Sequence, residues 1–540
     1  YALSDEAFPR QVAFRSACTT SHRQVAKEPS RQLNFSLYLL REPPLPPPEP
    51  GGMRVRETLQ WLSQELGVST ILTSKRDTHL LLLTRSIRMF AYGSSTLILA
   101  LYFSALGHSD ARIGLFMSLT LIGDVVVSLM LTFVADALGR RRVLLLGAVL
   151  MALSGATFAS TSNYYVLLVA AIVGVISPSG NEIGPFRAVE ESTLAHLSDP
   201  KTRSDVFAWY VVVGTLGTAG GSLACGWLVQ KLQSLPGWTD ESAYRIVFWM
   251  YTAIGLIKGG LTLLLSEECE ARPTPKTTAT EEGEGEAFLG QANGGPSNRP
   301  ATKPAQPPGK KNAMSQISRK SWTILLKLCA LFSVDSLASG MIPFSLIAFY
   351  MDRKFHMPQG KLGSIMSAAW FVSSIGNIFA SSISKRIGLI KTMVFTHLPS
   401  AIFLALLPAP TSLAMTIVLL VARASLASMD QAPRSAFLSA VVLPDERTAV
   451  MGIVNTVKTL SQSGGPIITG VLAGKSRFWV AFLVAGSLKA SYDLGMLTMF
   501  LNTKLHGQED EGRAQPSVSL QDQRRSLDSD EEELETGQQR

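Results

Sequence analysis

The 540-residue sequence contains few charged residues and few cysteines, and each shortage argues against a class of protein. Charged residues make up 17% of the chain, against about 25% in typical soluble domains. The four cysteines show no paired or metal-ligand spacing, which argues against a disulfide framework and a zinc site; they are Cys18, Cys225, Cys269 and Cys329.

Motifs for ATP hydrolysis and for catalysis are also missing. The chain has no GxxxxGK[ST] segment, so a P-loop cannot couple it to ATP. The histidines are scattered and suggest no metal site. The net charge of +8 comes from Lys and Arg dispersed between apolar segments, without the stripe that nucleic-acid binding requires. We predict that the protein is not an enzyme and uses no cofactor, metal or nucleic acid.

The sequence does contain a series of long apolar segments. Each is long enough to cross a bilayer at about 1.5 Å per residue. The runs are continuous, as in helices, and do not alternate as barrel strands do. The sequence therefore predicts an all-α membrane protein with twelve transmembrane helices (spans 1 to 12). Their predicted positions are 89–107, 113–137, 143–160, 164–189, 206–230, 246–266, 322–350, 363–383, 393–409, 413–434, 451–474 and 478–501.

Basic residues between the spans predict the orientation, because cytoplasmic loops carry an excess of Lys and Arg. Arg140–Arg142 follow span 2, and Lys201 and Arg203 follow span 4. Both termini are therefore expected in the cytoplasm, although the basic segment 352–361 then lies outside. The predicted domains are a disordered basic N-terminal cytoplasmic segment 1–84, a six-helix bundle 85–267, a disordered cytoplasmic linker 268–320, a six-helix bundle 321–503 and an acidic disordered cytoplasmic tail 504–540.

The second half of the chain repeats the first. "TRSDVFAWYVVVGTLGTAGG" (Thr202–Gly221) aligns without a gap with "ERTAVMGIVNTVKTLSQSGG" (Glu446–Gly465), at an offset of 446 − 202 = 244 residues, and pairs Arg203 with Arg447. "ADALGRRR" similarly aligns with "SKRIGLIK" between the second and third spans of each half. Repeats of six spans about an axis along the membrane normal are typical of transporters. We predict two pseudo-symmetric bundles.

The segment that closes span 2 carries the strongest local motif. Gly139 permits a tight turn at the helix end, and Asp136 and Arg140 lie four residues apart, where their side chains can meet. With Arg141, these residues resemble the major facilitator superfamily, whose pattern in this loop is G-x-x-x-D-x-x-G-R-R. Thr132 stands where the first Gly belongs.

The resemblance covers about residues 85–503, and "MVFTHLPS" with "SMDQAPRSAF…ERTAVMGIVN" is similar to a little-characterised fungal and bacterial branch. It implies the fold of the superfamily, alternating access between two halves, and a conformational latch at this loop. A simple positive-inside anchor is the alternative for the loop.

Charged residues inside the spans are further candidates, because each costs at least a few kcal/mol at mid-bilayer and is usually functional or paired. Asp335 in span 7 and Asp124 in span 2 are candidates for proton or cation coupling. The resemblance favours Asp335, because spans 1, 4, 7 and 10 line the cavity in the superfamily. A structural, hydrogen-bonded carboxylate is the alternative for each.

Charge pairs within single spans are candidate gates. Asp430 and Arg434 lie four residues apart in span 10, and Glu182 and Arg187 lie in span 4, near Glu190. Static ion pairs are the alternative. With Arg203 and Arg447, these residues complete the predicted gating set. Two further expectations concern lysines in the spans: Lys258 snorkels to the interface, and Lys489 is neutralised by Asp493 in span 12.

The substrate is constrained mainly by signatures that the chain lacks. Sugar porters of the superfamily carry the motif P-E-S-P-R after span 6, where this chain has "SEECEARP". The drug-antiporter pattern G-P-x-x-G-G is matched only in its final Gly pair. Candidates for the substrate cavity are Tyr92, Trp370, Phe371 and Lys458, although packing is the alternative for each aromatic residue.

We therefore predict a secondary active transporter, a monomer in the lipid bilayer, that moves a small organic solute by alternating access. Proton coupling and efflux are the preferred mode. A nutrient importer or uniporter, and a receptor of the same fold that transports nothing, remain as alternatives. The plasma membrane and an internal membrane such as the vacuole are both compatible locations.

Overall fold

The computed structural model describes residues 67–174, 176, 185–199, 202–270, 319–442 and 447–500, and regular structure in these segments is helical. Seven of the described helices are long and apolar enough to cross a membrane. The predicted disorder of residues 1–66, 271–318 and 504–540 and the predicted gate residue Glu182 lie outside the described residues.

The first half contains the helices of spans 1 to 6. Their bounds are Arg76–Ala105 (span 1), Asp110–Leu138 (span 2), Arg140–Ser160 (span 3), Tyr164–Val173 with Pro185–Leu197 (span 4), Arg203–Gln233 (span 5) and Asp240–Leu263 (span 6). A short helix, Val68–Leu72, precedes them, and a 3-10 turn, Glu267–Cys269, follows them.

The second half repeats this order. Its helices are Arg319–Met341 with Phe344–Phe355 (span 7), Gln359–Ile387 (span 8), Leu389–Leu406 (span 9), Leu413–Ala427 with Gln431–Val441 (span 10), Arg447–Ser463 with Gly465–Gly474 (span 11) and Phe478–Phe500 (span 12). Two breaks lie next to prolines, Pro343 and Pro466, which lack the N–H that continues a helix.

Span 1 begins at Arg76, well before the position 89 that hydropathy predicted, so part of the predicted N-terminal segment is helical. The reason is a contact with the end of span 6. The carboxylate of Asp77 accepts hydrogen bonds from Ser266, one of them from the backbone N–H at 3.3 Å. An acidic residue in the first turn also suits the positive end of the helix dipole.

Two equivalent glycines form the turns between the second and third spans of each half. Gly139 (φ 87°) joins span 2 to span 3, and Gly388 (φ 88°) joins span 8 to span 9. A positive φ favours glycine because a Cβ atom would be strained there. The aligned segments "ADALGRRR" and "SKRIGLIK" therefore share a positive φ at the glycine that ends the first of the two helices.

Close helix packing repeats in the two bundles. A Cβ atom on Gly93 of span 1 would collide with the carbonyl oxygen of Thr218 in span 5, and one on Gly340 of span 7 would collide with that of Gln462 in span 11. Thr218 and Gln462 are separated by the same offset of 244 residues (462 − 218) as the aligned sequences. The two bundles are therefore pseudo-symmetric in packing.

The two bundles touch tightly at the end where spans 2 and 8 begin, which we call the closed end. Gly114 of span 2 packs on Gly470 of span 11, and Gly226 of span 5 packs on Gly363 of span 8, with no room for a side chain. Small residues allow such close backbone approach. An ion pair between Arg353 and Asp110 (2.5 Å) also links the halves there.

Candidate functional site

A cavity of about 550 Å³ lies between the two bundles and is walled mainly by the second half. Its described lining includes five basic and three acidic side chains, and His397. The basic residues are Arg187, Arg423, Arg434, Lys458 and Lys489, and the acidic residues are Glu191, Asp335 and Asp430.

Asp335 is the junction of this charged wall. One carboxylate oxygen accepts a hydrogen bond from Lys489 Nζ of span 12 at 2.7 Å, and the other accepts one from Arg434 Nη1 of span 10 at 2.8 Å. Lys489 also donates to Ser339 Oγ at 2.7 Å. The carboxylate, placed in span 7 by the sequence, thus ties three helices together at the cavity surface.

His397 of span 9 was not singled out from the sequence, yet it lies beside this junction. Its Nε2 is 3.8 Å from Asp335 Oδ1, and its Nδ1 is 2.9 Å from Asp493 Oδ1. The expected pairing of Lys489 with Asp493 is therefore wrong. Lys489 reaches Asp335 and Asp493 reaches His397, because each side chain finds a closer partner on a neighbouring helix.

The predicted pair between Asp430 and Arg434 is present in span 10. In span 4, Arg187 Nε bonds Glu191 Oε1 at 2.6 Å. Both pairs line the cavity, one from each half of the molecule.

Glu190, which precedes Glu191, points away from the cavity into the first bundle. It accepts hydrogen bonds from Arg88 Nη2 of span 1 at 2.6 Å and from the Tyr210 hydroxyl of span 5 at 2.7 Å. Lys258 Nζ of span 6 lies 3.7 Å from its carboxylate. The expectation that Lys258 snorkels is therefore wrong, since this lysine is 2% exposed and ion-paired.

Three hydrogen-bond donors of the cavity wall have no hydrogen-bond or ion-pair partner among the described residues. They are the guanidinium of Arg423, the ammonium of Lys458 and the indole N–H of Trp370. Lys458 Nζ lies 5.5 Å from the centre of the Phe332 ring. The cavity wall thus presents donors that are available to a ligand.

The other predicted residues are placed as follows. Phe371 lies outside the cavity with 51% of its surface exposed, because adjacent helix residues point about 100° apart and its neighbour Trp370 faces inward. Tyr92 and Asp124 are buried in the first bundle and do not belong to the described cavity lining. Lys458 does line it.

The predicted latch lies at the opposite end of span 2 from the closed end. The carboxylate of Glu270 accepts hydrogen bonds from the backbone N–H groups of Arg140 (2.8 Å) and Arg141 (3.1 Å), next to Gly139. It therefore caps the start of span 3. The side chains of two further latch residues, Asp136 and Arg447, lie outside the described residues.

Arg203 begins span 5, and its Nη2 donates to the carbonyl of Ala195 at 3.0 Å, near the end of span 4. The sequence did not single out Arg88 as a candidate, and it missed His397. Arg88 lies at the edge of the hydropathy-derived span, and a lone histidine carries no spacing signal. Their partners, Glu190 and Asp493, are more than ninety residues away in the chain.

The comparisons agree with this arrangement of helices. The family model of the Major Facilitator Superfamily matches residues 81–346 and 328–527. The chain is 36% identical over 430 residues to the uncharacterized membrane protein YJR124C of Saccharomyces cerevisiae, covering 79% of this chain and 95% of that protein.

Solved transporter structures share the fold. A mutant of the nucleoside transporter NupG superposes with a TM-score of 0.57 at 15% identity, over 79% of this chain and all of that one. The xylose transporter XylE from E. coli, in a partially occluded inward-open conformation, superposes with a TM-score of 0.58 at 12% identity, over 79% and 98%.

A pseudo-symmetric pair of six-helix bundles around a polar cavity defines a membrane transporter rather than an enzyme. The chain belongs to the major facilitator superfamily.

Proposed function

We propose that the protein is a secondary active transporter that exports a small organic solute by proton-coupled alternating access. The observation that carries the proposal is the junction at Asp335, where one buried carboxylate holds Lys489 and Arg434 at the surface of a cavity between the halves. A group that binds either a proton or two cations is suited to coupling, because the two occupancies favour different arrangements of the helices.

The coupling step is a change of charge at Asp335. Protonation removes the negative charge that holds Lys489, while Arg434 keeps a second partner in Asp430. His397, 3.8 Å from Asp335, provides a neighbouring site for the proton and is itself oriented by Asp493. A proton at Asp335 therefore frees Lys489 at the cavity wall, and a bound solute changes the same balance.

Movement between the halves completes the cycle. We assign the closed end to the outer face, so that the cavity is reached from the cytoplasm with both termini inside, in the plasma membrane or an internal membrane. The helix breaks at Pro343 and next to Asp430 border the cavity and give spans 7 and 10 places to bend. The ion pairs Arg187–Glu191 and Asp430–Arg434 act as gates, and the loop at Gly139 acts as a latch.

The test has two stages. Metabolite profiling of a deletion strain identifies solutes that accumulate, and the purified chain in proteoliposomes is then assayed for their transport with and without a pH gradient. We expect transport to collapse when the gradient is removed and Asp335→Asn to lose gradient dependence. Asp240→Asn, an exposed carboxylate at the start of span 6, serves as the matched control and should behave as the unaltered protein.

The alternatives give different results in the same assay. Transport that ignores both the gradient and Asp335→Asn indicates a uniporter and contradicts proton coupling. Depletion of the solute in the deletion strain indicates import and contradicts export. Absence of transport for every altered metabolite favours a receptor.

A further inference from the structure

We propose that the cavity binds an organic anion whose acidic group, a carboxylate or a phosphate, lies between Arg423 and Lys458, while its apolar part packs on Trp370 and Phe344. This inference rests on the proposed transport function and specifies its substrate class. The four residues come from spans 7, 8, 10 and 11 and line the same cavity.

The charge of the cavity wall favours an anion. Its described lining has five basic and three acidic residues, and each acidic residue is already engaged by a base. Glu191 is held by Arg187, Asp430 by Arg434, and Asp335 by Arg434 and Lys489. Two positive charges, Arg423 and Lys458, are left without an acidic partner in the described part of the chain.

An unpaired cation within a membrane-spanning helix is energetically costly. An anionic ligand removes that cost at two residues together, and hydrogen bonds from Arg or Lys to a carboxylate or phosphate are the strong, charge-assisted kind. A cationic ligand, by contrast, has to displace an existing partner from Asp335, Asp430 or Glu191. The wall is therefore selective by charge.

The remaining wall describes the rest of the ligand. The rings of Phe344 and Trp370 pack with their centres 4.6 Å apart, and the indole N–H of Trp370 has no acceptor among the described residues. The amides of Asn455 and Gln462 add polar contacts. A cavity of about 550 Å³ lies within the range of about 300–1,000 Å³ typical of small-molecule sites. An aromatic or planar acid suits these groups.

Binding is measured directly, with the full chain in lipid nanodiscs and four probes that share one ring. Benzoate and phenyl phosphate carry an acidic group, benzylamine carries a positive charge and benzyl alcohol is neutral. A ligand that binds the folded state raises the melting temperature in a saturable manner. We expect this for one or both acids and not for the other two, and the preferred acid distinguishes a carboxylate from a phosphate substrate.

Variants locate the site. Arg423→Gln and Lys458→Met should each weaken binding of the acid by about 10- to 100-fold, the loss typical of one charge-assisted hydrogen bond. Arg423→Lys retains the charge and should bind the acid more tightly than Arg423→Gln but more weakly than the unaltered protein. This variant separates loss of charge from misfolding. Arg477→Gln and Lys475→Met, at exposed positions at the closed end, are the matched controls and should bind as the unaltered protein.

Equal binding of benzylamine or benzyl alcohol, absence of saturable binding by both acids, or unchanged acid binding in Arg423→Gln and Lys458→Met overturns the inference. The two proposals fail separately. Acid binding without transport of any solute contradicts the transport function and retains the anion site. Transport of a solute without an acidic group, unaffected by Arg423→Gln, contradicts the anion site and retains the transport function.

Discussion

The two halves of the molecule carry buried ion networks at equivalent positions, with two of the charges exchanged. The acid of span 4 is matched by a base at the same 244-residue offset (434 − 190) in span 10, and the base of span 1 by an acid in span 7. A lysine is kept in spans 6 and 12. The residues at equivalent positions are Glu190 and Arg434, Arg88 and Asp335, and Lys258 and Lys489.

The networks differ in their access to water. Glu190 is 1% exposed, and its Oε2 accepts hydrogen bonds from Arg88 and from the Tyr210 hydroxyl inside the first bundle. In the second bundle the side chains of Arg434 and Lys489 are 15% and 10% exposed and line the cavity. We propose that one set of positions serves as a structural anchor in the first half and as a working surface in the second.

The largest effect is expected for Glu190→Gln. It leaves Lys258, which is 2% exposed, without its ion-pair partner, and removing one partner of a buried ion pair costs about 3–5 kcal/mol. The melting temperature in detergent and the yield of monodisperse protein should both fall strongly. Glu191→Gln, the neighbouring carboxylate at the cavity, is the control and should lose about 1 kcal/mol or less.

A smaller loss of stability, about 1–3 kcal/mol, is expected for Asp335→Asn. Arg434 keeps its bond to Asp430, and Lys489 keeps its bond to Ser339 and faces the cavity. The same thermal measurement, run beside Glu190→Gln, checks the order of the two variants. If Asp335→Asn destabilises the protein as much as Glu190→Gln does, the contrast between anchor and working surface is wrong.

The pair His397–Asp493 has no counterpart in the first half and so sharpens the comparison. Gly255 packs on Ala152 as Gly486 packs on Ala401, and these contacts align span 6 with span 12 and span 3 with span 9. In this alignment Ala148 is equivalent to His397, and Thr262 is equivalent to Asp493.

We expect His397→Ala alone to cost about 1–3 kcal/mol, because Asp493 loses its partner. The double variant His397→Ala/Asp493→Thr, which copies the first half, should recover much of that loss. A double-mutant cycle of melting temperatures measures the coupling. Strictly additive losses would show that the two side chains do not interact.

The smallest effect is expected at the closed end. The pair Arg353–Asp110 is half-exposed on the arginine side, and exposed ion pairs contribute about 0–1 kcal/mol. Arg353→Gln should change the melting temperature little, and only at low salt, because the Debye length is about 10 Å at 0.1 M. A large loss, or one that persists at high salt, would assign the closure of that end to this pair rather than to the glycine contacts.

Hydropathy and the internal repeat were sufficient to predict the helical class and the two bundles. Both signals are local: an apolar run of spanning length forms a helix in lipid whatever surrounds it, and Gly139 and Gly388 mark turns by their own conformational freedom. Asp335 was also predictable, because a carboxylate in the middle of an apolar segment is conspicuous. The start of span 1 was not, since Arg76–Arg88 carries four charged residues and is held by contacts with Ser266 and Glu190.

The partners of the charged residues were not predictable from spacing within a helix. Asp430–Arg434 is a contact within one turn and was found, whereas Lys489 and Asp493 have the same spacing and turn to different partners, Asp335 and His397. The sequence by itself determined which segments cross the bilayer and which of them carry charge, because the cost of exposing backbone and charge to lipid acts residue by residue. Only the tertiary structure decided which charges meet, which are sealed and which face the cavity, because those outcomes depend on the rotation and packing of helices far apart in the chain.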